Sequence, residues 1–178
     1  MAIANTHYGF CSKGGAALNF TYTGEYNVRD GGGVALLTSG TIVFLEPAVI
    51  DVFCVGGGGG GFGRITARDQ AYGGGGGGYT RTEKNLTVSG SYSVTIGEGG
   101  AAVTTPLNGM RKTGGDTQFG TLVTAEGGYT KGVTSSGVSG GGNGGSGGGG
   151  GVWANSDFGD GGSDGSDGEV GYPAGGQP

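Results

Sequence analysis

The sequence predicts an all-β body with glycine-rich loops, followed by extended glycine helices of the polyproline-II type. Three observations carry that expectation. Segments such as "SYSVTIG" alternate polar and apolar residues with period two. No stretch free of glycine shows a helical period. Between residues 141 and 171, glycine recurs at every third position except Trp153 and Ser156, the repeat of a helix with three residues per turn. Glycine supplies 51 of 178 residues, far above the usual share of roughly 7%. Each glycine loses more backbone freedom on folding than any other residue. Order in this chain therefore requires dense backbone hydrogen bonding, partner chains, or both.

Residues 1–32 form a lead-in with a β segment, "ALNFTYTGEYNVRD" (17–30), that turns at Gly24-Glu25. Residues 33–131 read as a glycine-rich β domain. It opens with "GVALLTSGTIVFLE" (33–46), whose two apolar runs are expected to form a hairpin across Ser39-Gly40. After Pro47, "AVIDVFCV" runs straight into six glycines, and Asp51 interrupts its apolar pattern. A second run, "AYGGGGGGYT" (71–80), leads into "YTRTEKNLTV" and "SYSVTIG", an expected hairpin across Ser89-Gly90. Tyr92, Val94 and Ile96 share one face of that last strand, and a further strand is expected within 117–128.

Residues 132–178 are a separate Gly-X-X region. Gly141, Gly144, Gly147 and Gly150 keep phase with Gly159, Gly162, Gly165, Gly168 and Gly171 through Trp153 and Ser156. Packed extended helices and a flexible Gly/Ser linker both fit this composition. The phase held through Trp153 and the presence of Phe158 favour order, because large aromatic rings need something to pack against.

Composition also excludes function classes. A net charge of -5 and a pI of 4.6 argue against nucleic acid and anionic membranes as partners. No stretch has the apolar length of a membrane span, and "MAIANTHYGF" lacks a secretory signal pattern. Cys11 and Cys54 are too few for a disulfide scaffold; two half-buried thiols or one bridge remain open. G-x-G-x-x-G occurs around residues 56–63, but no βαβ unit follows and no Walker pattern exists. G-x-S-x-G surrounds Ser139, Ser146 and Ser163 inside low-complexity glycine, and His7 is the sole histidine. The acidic "DFGDGGSDGSDGE" misses the spacing of known calcium loops and reads as a solvated surface. No catalytic residue, cofactor or metal site is expected.

What remains is aromatic side chains set between glycines. Tyrosine beside glycine gives a rigid amphipathic contact on a loop of free shape. Trp153, Phe158, Tyr172, Tyr129 and Tyr72 are the candidate recognition residues, with Trp153 first among them. For Phe62 and Tyr79, packing inside the glycine region is the expected role.

The order "DVFCVGGGGGG", then "GGGGGGYTRTEKNLTVSGSYSVTIGEGG", then "GGDTQFGTLVTAEGG" resembles the glycine-rich domain of bacteriophage tail-fibre, tail-tip and other virion proteins. The resemblance spans residues 40–171, with Tyr92–Gly100 and Gly114–Gly120 matching its strand and G-x-x-T-x-F-G patterns. It implies a β-sandwich-like base, bundled polyglycine-II helices and recognition through the loops that join the glycine stretches. It implies no catalytic residues. The expected protein is a non-enzymatic virion component of the tail fibre or tip, contacting a host surface glycan or protein. It would be made in the infected cell without a signal peptide and would associate with other virion proteins, as a homo-oligomer for which a trimer is plausible. An architectural decoration or connector protein without a receptor is the alternative.

Overall fold

The computed structural model describes residues 8–12, 18–29, 33–63, 70–71, 73–104, 109–132, 140–153, 157–158, 162–163 and 173–174. Among these the regular structure is entirely β. In chain order the strands are β1 (Tyr8–Ser12), β2 (Phe20–Tyr22), β3 (Tyr26–Val28), β4 (Gly33–Leu36), β5 (Gly40–Val55), β6 (Gln70–Ala71), β7 (Thr80–Thr95) and β8 (Met110–Lys112). They continue with β9 (Thr117–Phe119), β10 (Val123–Ala125), β11 (Tyr129–Lys131), β12 (Val152–Trp153), β13 (Asp157–Phe158), β14 (Gly162–Ser163) and β15 (Pro173–Ala174). Eight of them make one open antiparallel sheet in the order β10-β9-β7-β5-β1-β4-β3, with β2 also paired to β5. The sheet does not close into a barrel. Smaller antiparallel sheets are β11-β8, β13-β12-β6 and β14-β15.

The long strands β5 and β7 form the spine. Their inward residues Ile42, Phe44, Ile50, Val52, Cys54, Val88 and Val94 are buried, with Val34 and Leu36 of β4 and Phe119, Val123 and Ala125 of β9 and β10. Tyr92 stacks on Phe119 at 5.0 Å, and Phe44 meets Phe119 edge-on at 6.4 Å. The alternation of Tyr92, Val94 and Ile96 is thus the core face of a strand, as its period implies. Cys54 is a free buried thiol. It pairs in register with Tyr8, while Cys11 lies opposite Asp51, so no Cys11–Cys54 bridge forms.

Both expected hairpins are absent. β4 does not return along β5, because β1 lies between them and pairs with both. The connection after β4 is held elsewhere: Leu37 N–H donates to the Glu25 carbonyl, and the Ser39 hydroxyl accepts from Ile96 N–H at 2.9 Å. Likewise the chain does not turn at Ser89-Gly90. Gly90 takes the positive φ of 73° that a turn would use, but inside the continuous strand β7, opposite Phe44. Between the pairs Phe44↔Gly90 and Ala48↔Val88, Leu45, Glu46 and Pro47 face only Ser89. This bulge accommodates Pro47, which has no N–H for a ladder. A second irregularity sets Asp51 against Lys84 and Asn85. Asn85 adopts φ 58°, and its N–H donates to Asp51 Oδ1 at 2.7 Å. Asp51 interrupts the apolar run because it holds this bulge.

Beyond the sheet, the glycine segments lie backbone to backbone. A Cβ built on Gly56 or Gly59 would run into the backbone of Glu126 or Tyr129. On Gly57 or Gly60 it would run into Glu98 or Ala101, and on Gly58 or Gly61 it would face Gly76 or Gly73 at 3.8 Å. Each step of three residues moves the neighbour by three, upward along 98–101 and 126–129 and downward along 76–73, so successive residues face three different segments. The hydrogen bonds keep the same count. Gly56, Gly59 and Phe62 donate to the carbonyls of Tyr79, Gly76 and Gly73 at 2.9, 2.7 and 3.1 Å. Gly100 and Val103 donate to Gly58 and Gly61 on another side.

Residues 140–149 join this bundle as two runs. Gly142 and Gly145 donate to Gly74 and Gly77, whereas Gly74 and Gly77 donate to Gly149 and Ser146. The chain therefore reverses near residues 145 and 146, and its three-spaced glycines are not one continuous run.

Substitution provides a contrast within the bundle. Gly60→Ala drives a methyl into the Ala101 backbone and is expected to lower stability by more than about 3 kcal/mol. Gly99→Ala meets nothing within 4 Å and is expected to stay within about 0.5 kcal/mol. Urea unfolding of the two variants measures the difference.

Candidate recognition surface

The glycine segments leave the sheet in a common direction. Residues 56–63 extend β5, residues 73–79 lead into β7, residues 97–103 follow β7, and residues 126–131 follow β10. Their hydrogen-bond registers fix relative height. Gly56, Tyr79 and Glu126 lie together near the sheet, through the Gly56–Tyr79 and Tyr79–Glu126 bonds. At the other end Phe62 lies level with Gly73, Gly63 with Val103, and Gly132 with Gly109. β12 pairs with β6 at this same end, with Val152 opposite Ala71 and Trp153 opposite Gln70. The described residues flanking 64–69, 105–108, 133–139 and 154–156 thus gather at the end of the bundle farthest from the eight-stranded sheet.

This topology brings two predicted recognition residues together. Trp153 lies on β12 opposite Asp157, and Phe158 lies on β13 opposite Val152. Both belong to the three-stranded sheet β13-β12-β6, and Tyr72 directly follows β6 in sequence. Tyr72 and Tyr172 lie outside the described residues. Tyr129 sits apart from that small sheet. Its N–H donates to the Asn143 carbonyl, its own carbonyl accepts from Gly76, and its ring meets Tyr79 edge-on at 6.5 Å. It is half-buried along the bundle's side, where it packs two segments together. Phe62 is buried, as its expected packing role requires.

Three threonines hold the bundle from within; Thr117 is the threonine of the G-x-x-T-x-F-G pattern, and no sequence signal marks Thr113 or Thr130. Gly60 N–H donates to Thr113 Oγ1 at 2.9 Å, and Thr113 and Thr130 hydroxyls are 2.7 Å apart. The Thr130 hydroxyl donates to the Gly60 carbonyl. Its one proton is thereby used, so Thr113 donates to Thr130 and the circuit closes on both peptide groups of Gly60. Thr117 repeats the device nearer the sheet, accepting from Gly97 N–H at 2.9 Å and donating to the Val55 carbonyl at 2.7 Å. Thr117 and Thr130 are fully buried.

Charge enters through Asp116. Its Oδ1 accepts from Gly127 N–H at 2.8 Å and from Lys112 Nζ at 2.9 Å. Burial alone would raise the Asp116 carboxyl, but the Lys112 ammonium and the Gly127 N–H together hold it below its ordinary value. Lys112 is raised chiefly by its bond to Asp116. Burial, with the nearby Tyr129 and Glu126, raises the Tyr79 hydroxyl. Burial pushes the Cys54 thiol up to about 12, which leaves it protonated and unreactive near neutrality.

Among the described residues, no group of three or more His, Cys, Asp or Glu is placed to hold a metal, and no helix is long and apolar enough to cross a membrane. The acidic stretch 157–169 lies mostly outside the described residues.

Thr130→Val keeps the shape but strands the Gly60 carbonyl and the Thr113 hydroxyl. It is expected to cost about 1–3 kcal/mol in denaturant unfolding. Asp116 supplies a pH test. A depressed folded pKa gives stability that is present above the unfolded value, near 3.8, and is lost as pH falls through the folded value. The melting-temperature advantage of wild type over Asp116→Asn is expected at neutral pH and should shrink below that point.

Searches of curated proteins and of solved structures find no significant match to this chain. A family model described as "Glycine-rich domain" matches residues 36–178, from the last residue of β4 to the C-terminal proline. The matched span contains β5, β7, the threonine-bracketed bundle and the aromatic-bearing end. The chain belongs to the glycine-rich domain family.

Proposed function

We propose that this chain is a non-enzymatic structural protein of a bacteriophage virion, in the tail fibre or tail tip. The far end of its glycine bundle contacts the host cell surface. In this reading the glycine segments are polyglycine-II helices standing on a sandwich-like β base. Their repeat of three, with hydrogen bonds to neighbours on several sides, supports that assignment. The observation that carries the functional reading is that described ends of several glycine segments (Gly63, Thr104, Gly109, Gly132 and Trp153) meet at one end, opposite the large sheet. Recognition elements characteristically sit on loops presented by a rigid scaffold. Trp153 and Phe158 on the paired strands β12 and β13 lie at that end, and aromatic rings beside glycine suit contact with a glycan or protein surface.

A purely architectural virion role, without a receptor, is the second reading. The edge strand β3, exposed along its whole length, favours it as a place for protein neighbours.

Binding of purified protein to a panel of bacterial cells separates the two. Wild type is compared with Trp153→Ala plus Phe158→Ala, with thermal unfolding as a check on folding. Receptor binding predicts specific adhesion that falls at least about tenfold, or about 1.4 kcal/mol, in a folded double variant. Absence of adhesion by the folded wild type across the panel favours the architectural reading.

A further inference from the structure

Among the described residues the large sheet ends at β3, and that edge is unfinished. Tyr26 and Val28 stand opposite Leu36 and Val34, whose side chains are buried in the core. Opposed residues in an antiparallel pair share a face, so Tyr26 and Val28 lie on the core side of the sheet. Yet they are 43% and 69% exposed. Tyr26 already meets Phe20 and Tyr22 edge-on, at 5.3 and 6.3 Å. The apolar core therefore runs out to solvent at this strand, and β3 carries no proline, lysine or bulge of the kind that blunts an edge.

The backbone specifies which groups remain for a partner. The Glu25 carbonyl accepts from Leu37 N–H, and Arg29 N–H donates to the Gly33 carbonyl. In an antiparallel strand both peptide groups of a residue point to the same side, and the side alternates. Residues 25, 27 and 29 therefore face β4, and the N–H and C=O groups of Tyr26 and Val28 face outward.

We infer that β3 pairs with β3 of a second copy of this chain, antiparallel about a twofold axis at Asn27. In that register Tyr26 of each copy opposes Val28 of the other. All four outward groups of each strand are then used, in four hydrogen bonds across the axis. The side chains agree with the backbone. Tyr26 and Val28 meet as an apolar pair on the core face, extending one sheet into the next. On the opposite face Glu25 of each copy opposes Arg29 of the other, so both ends of the short strand carry complementary charge. Glu25, Asn27 and Arg29 are all exposed. A second copy fits better than an unrelated peptide, because the strand's own sequence is complementary to itself only in this antiparallel register. The contact uses neither the glycine bundle nor its far end.

Sedimentation velocity across a concentration series, with circular dichroism to verify folding, tests the pairing. Wild type is expected to show a concentration-dependent dimer. Glu25→Arg and Arg29→Glu each place like charges opposite each other at both ends of the interface, and each is expected to weaken dimerisation at least about tenfold. An equimolar mixture of the two variants sets opposite charges against each other again and should restore the dimer. Val28→Pro removes an outward N–H without touching the β3–β4 ladder, and is expected to abolish the dimer. Three results would each overturn the inference: a wild-type monomer at every concentration, a trimer indifferent to these changes, or a mixture no more associated than its components.

Discussion

Close approach of one backbone to another is the constraint on which this structure depends. Residues 56–61 are flanked on three sides by other chain segments, and the carbonyls of Glu98, Ala101, Glu126 and Tyr129 occupy the places where Cβ atoms would stand. Only glycine can fill such positions. The penalty is entropic, about 0.5–1 kcal/mol per glycine relative to alanine. It is opposed by regularly spaced peptide hydrogen bonds between segments, and by threonine hydroxyls that reach peptide groups the neighbouring segments leave unpaired. Thr113 and Thr130 together satisfy both the N–H and the C=O of Gly60.

The sheet supplies what glycine cannot. Glycine segments have no side chains with which to select a neighbour, so their relative height must come from elsewhere. β5 and β7 run directly into residues 56–63 and 97–103, and β10 into 126–131. Their ladder registers, locked by an apolar core, set the starting phase of each glycine run. The two irregularities in the β5–β7 pair belong to the same function. They admit Pro47 and the left-handed Asn85 while keeping Ile42, Phe44, Ile50, Val52 and Cys54 on a single buried face. Asp116 then ties the returning run at Gly127 to Lys112, close to where the bundle leaves the sheet.

A rigid base, a stiff bundle and an aromatic-bearing far end separate two tasks in space. Proposed recognition falls at the far end, where β12 and β13 pair, and proposed self-association falls on the sheet edge at β3. Changes at one need not disturb the other, because the threonine-bracketed bundle lies between them. The conformational freedom of glycine in isolation is irrelevant to this arrangement. In the bundle each run is held by its neighbours, and stiffness arises from hydrogen bonds across segments instead of from side-chain packing.

Much of this was legible in the amino-acid sequence. Period-two alternation marked Tyr92, Val94 and Ile96 as a core-facing strand. The glycine content called for dense backbone hydrogen bonding, but packed glycine segments were expected beyond residue 132 and not in the runs 56–61 and 73–78, which read as loops. The strand-then-glycine order pointed to the family to which the chain belongs. Partner choice was not legible. Ser39-Gly40 and Ser89-Gly90 both carry turn chemistry, yet β1 lies between β4 and β5, and β7 continues through Gly90 because β5 offers partners on both sides of it. The reversal near Ser146, the threonine circuit around Gly60 and the meeting of Trp153 with Gln70 were equally hidden. The physical reason is common to all of them. Side-chain periodicity is local and can be read along the chain, whereas pairing is decided by peptide groups that every residue shares. A glycine segment has only those groups, so the tertiary structure alone decides its neighbours.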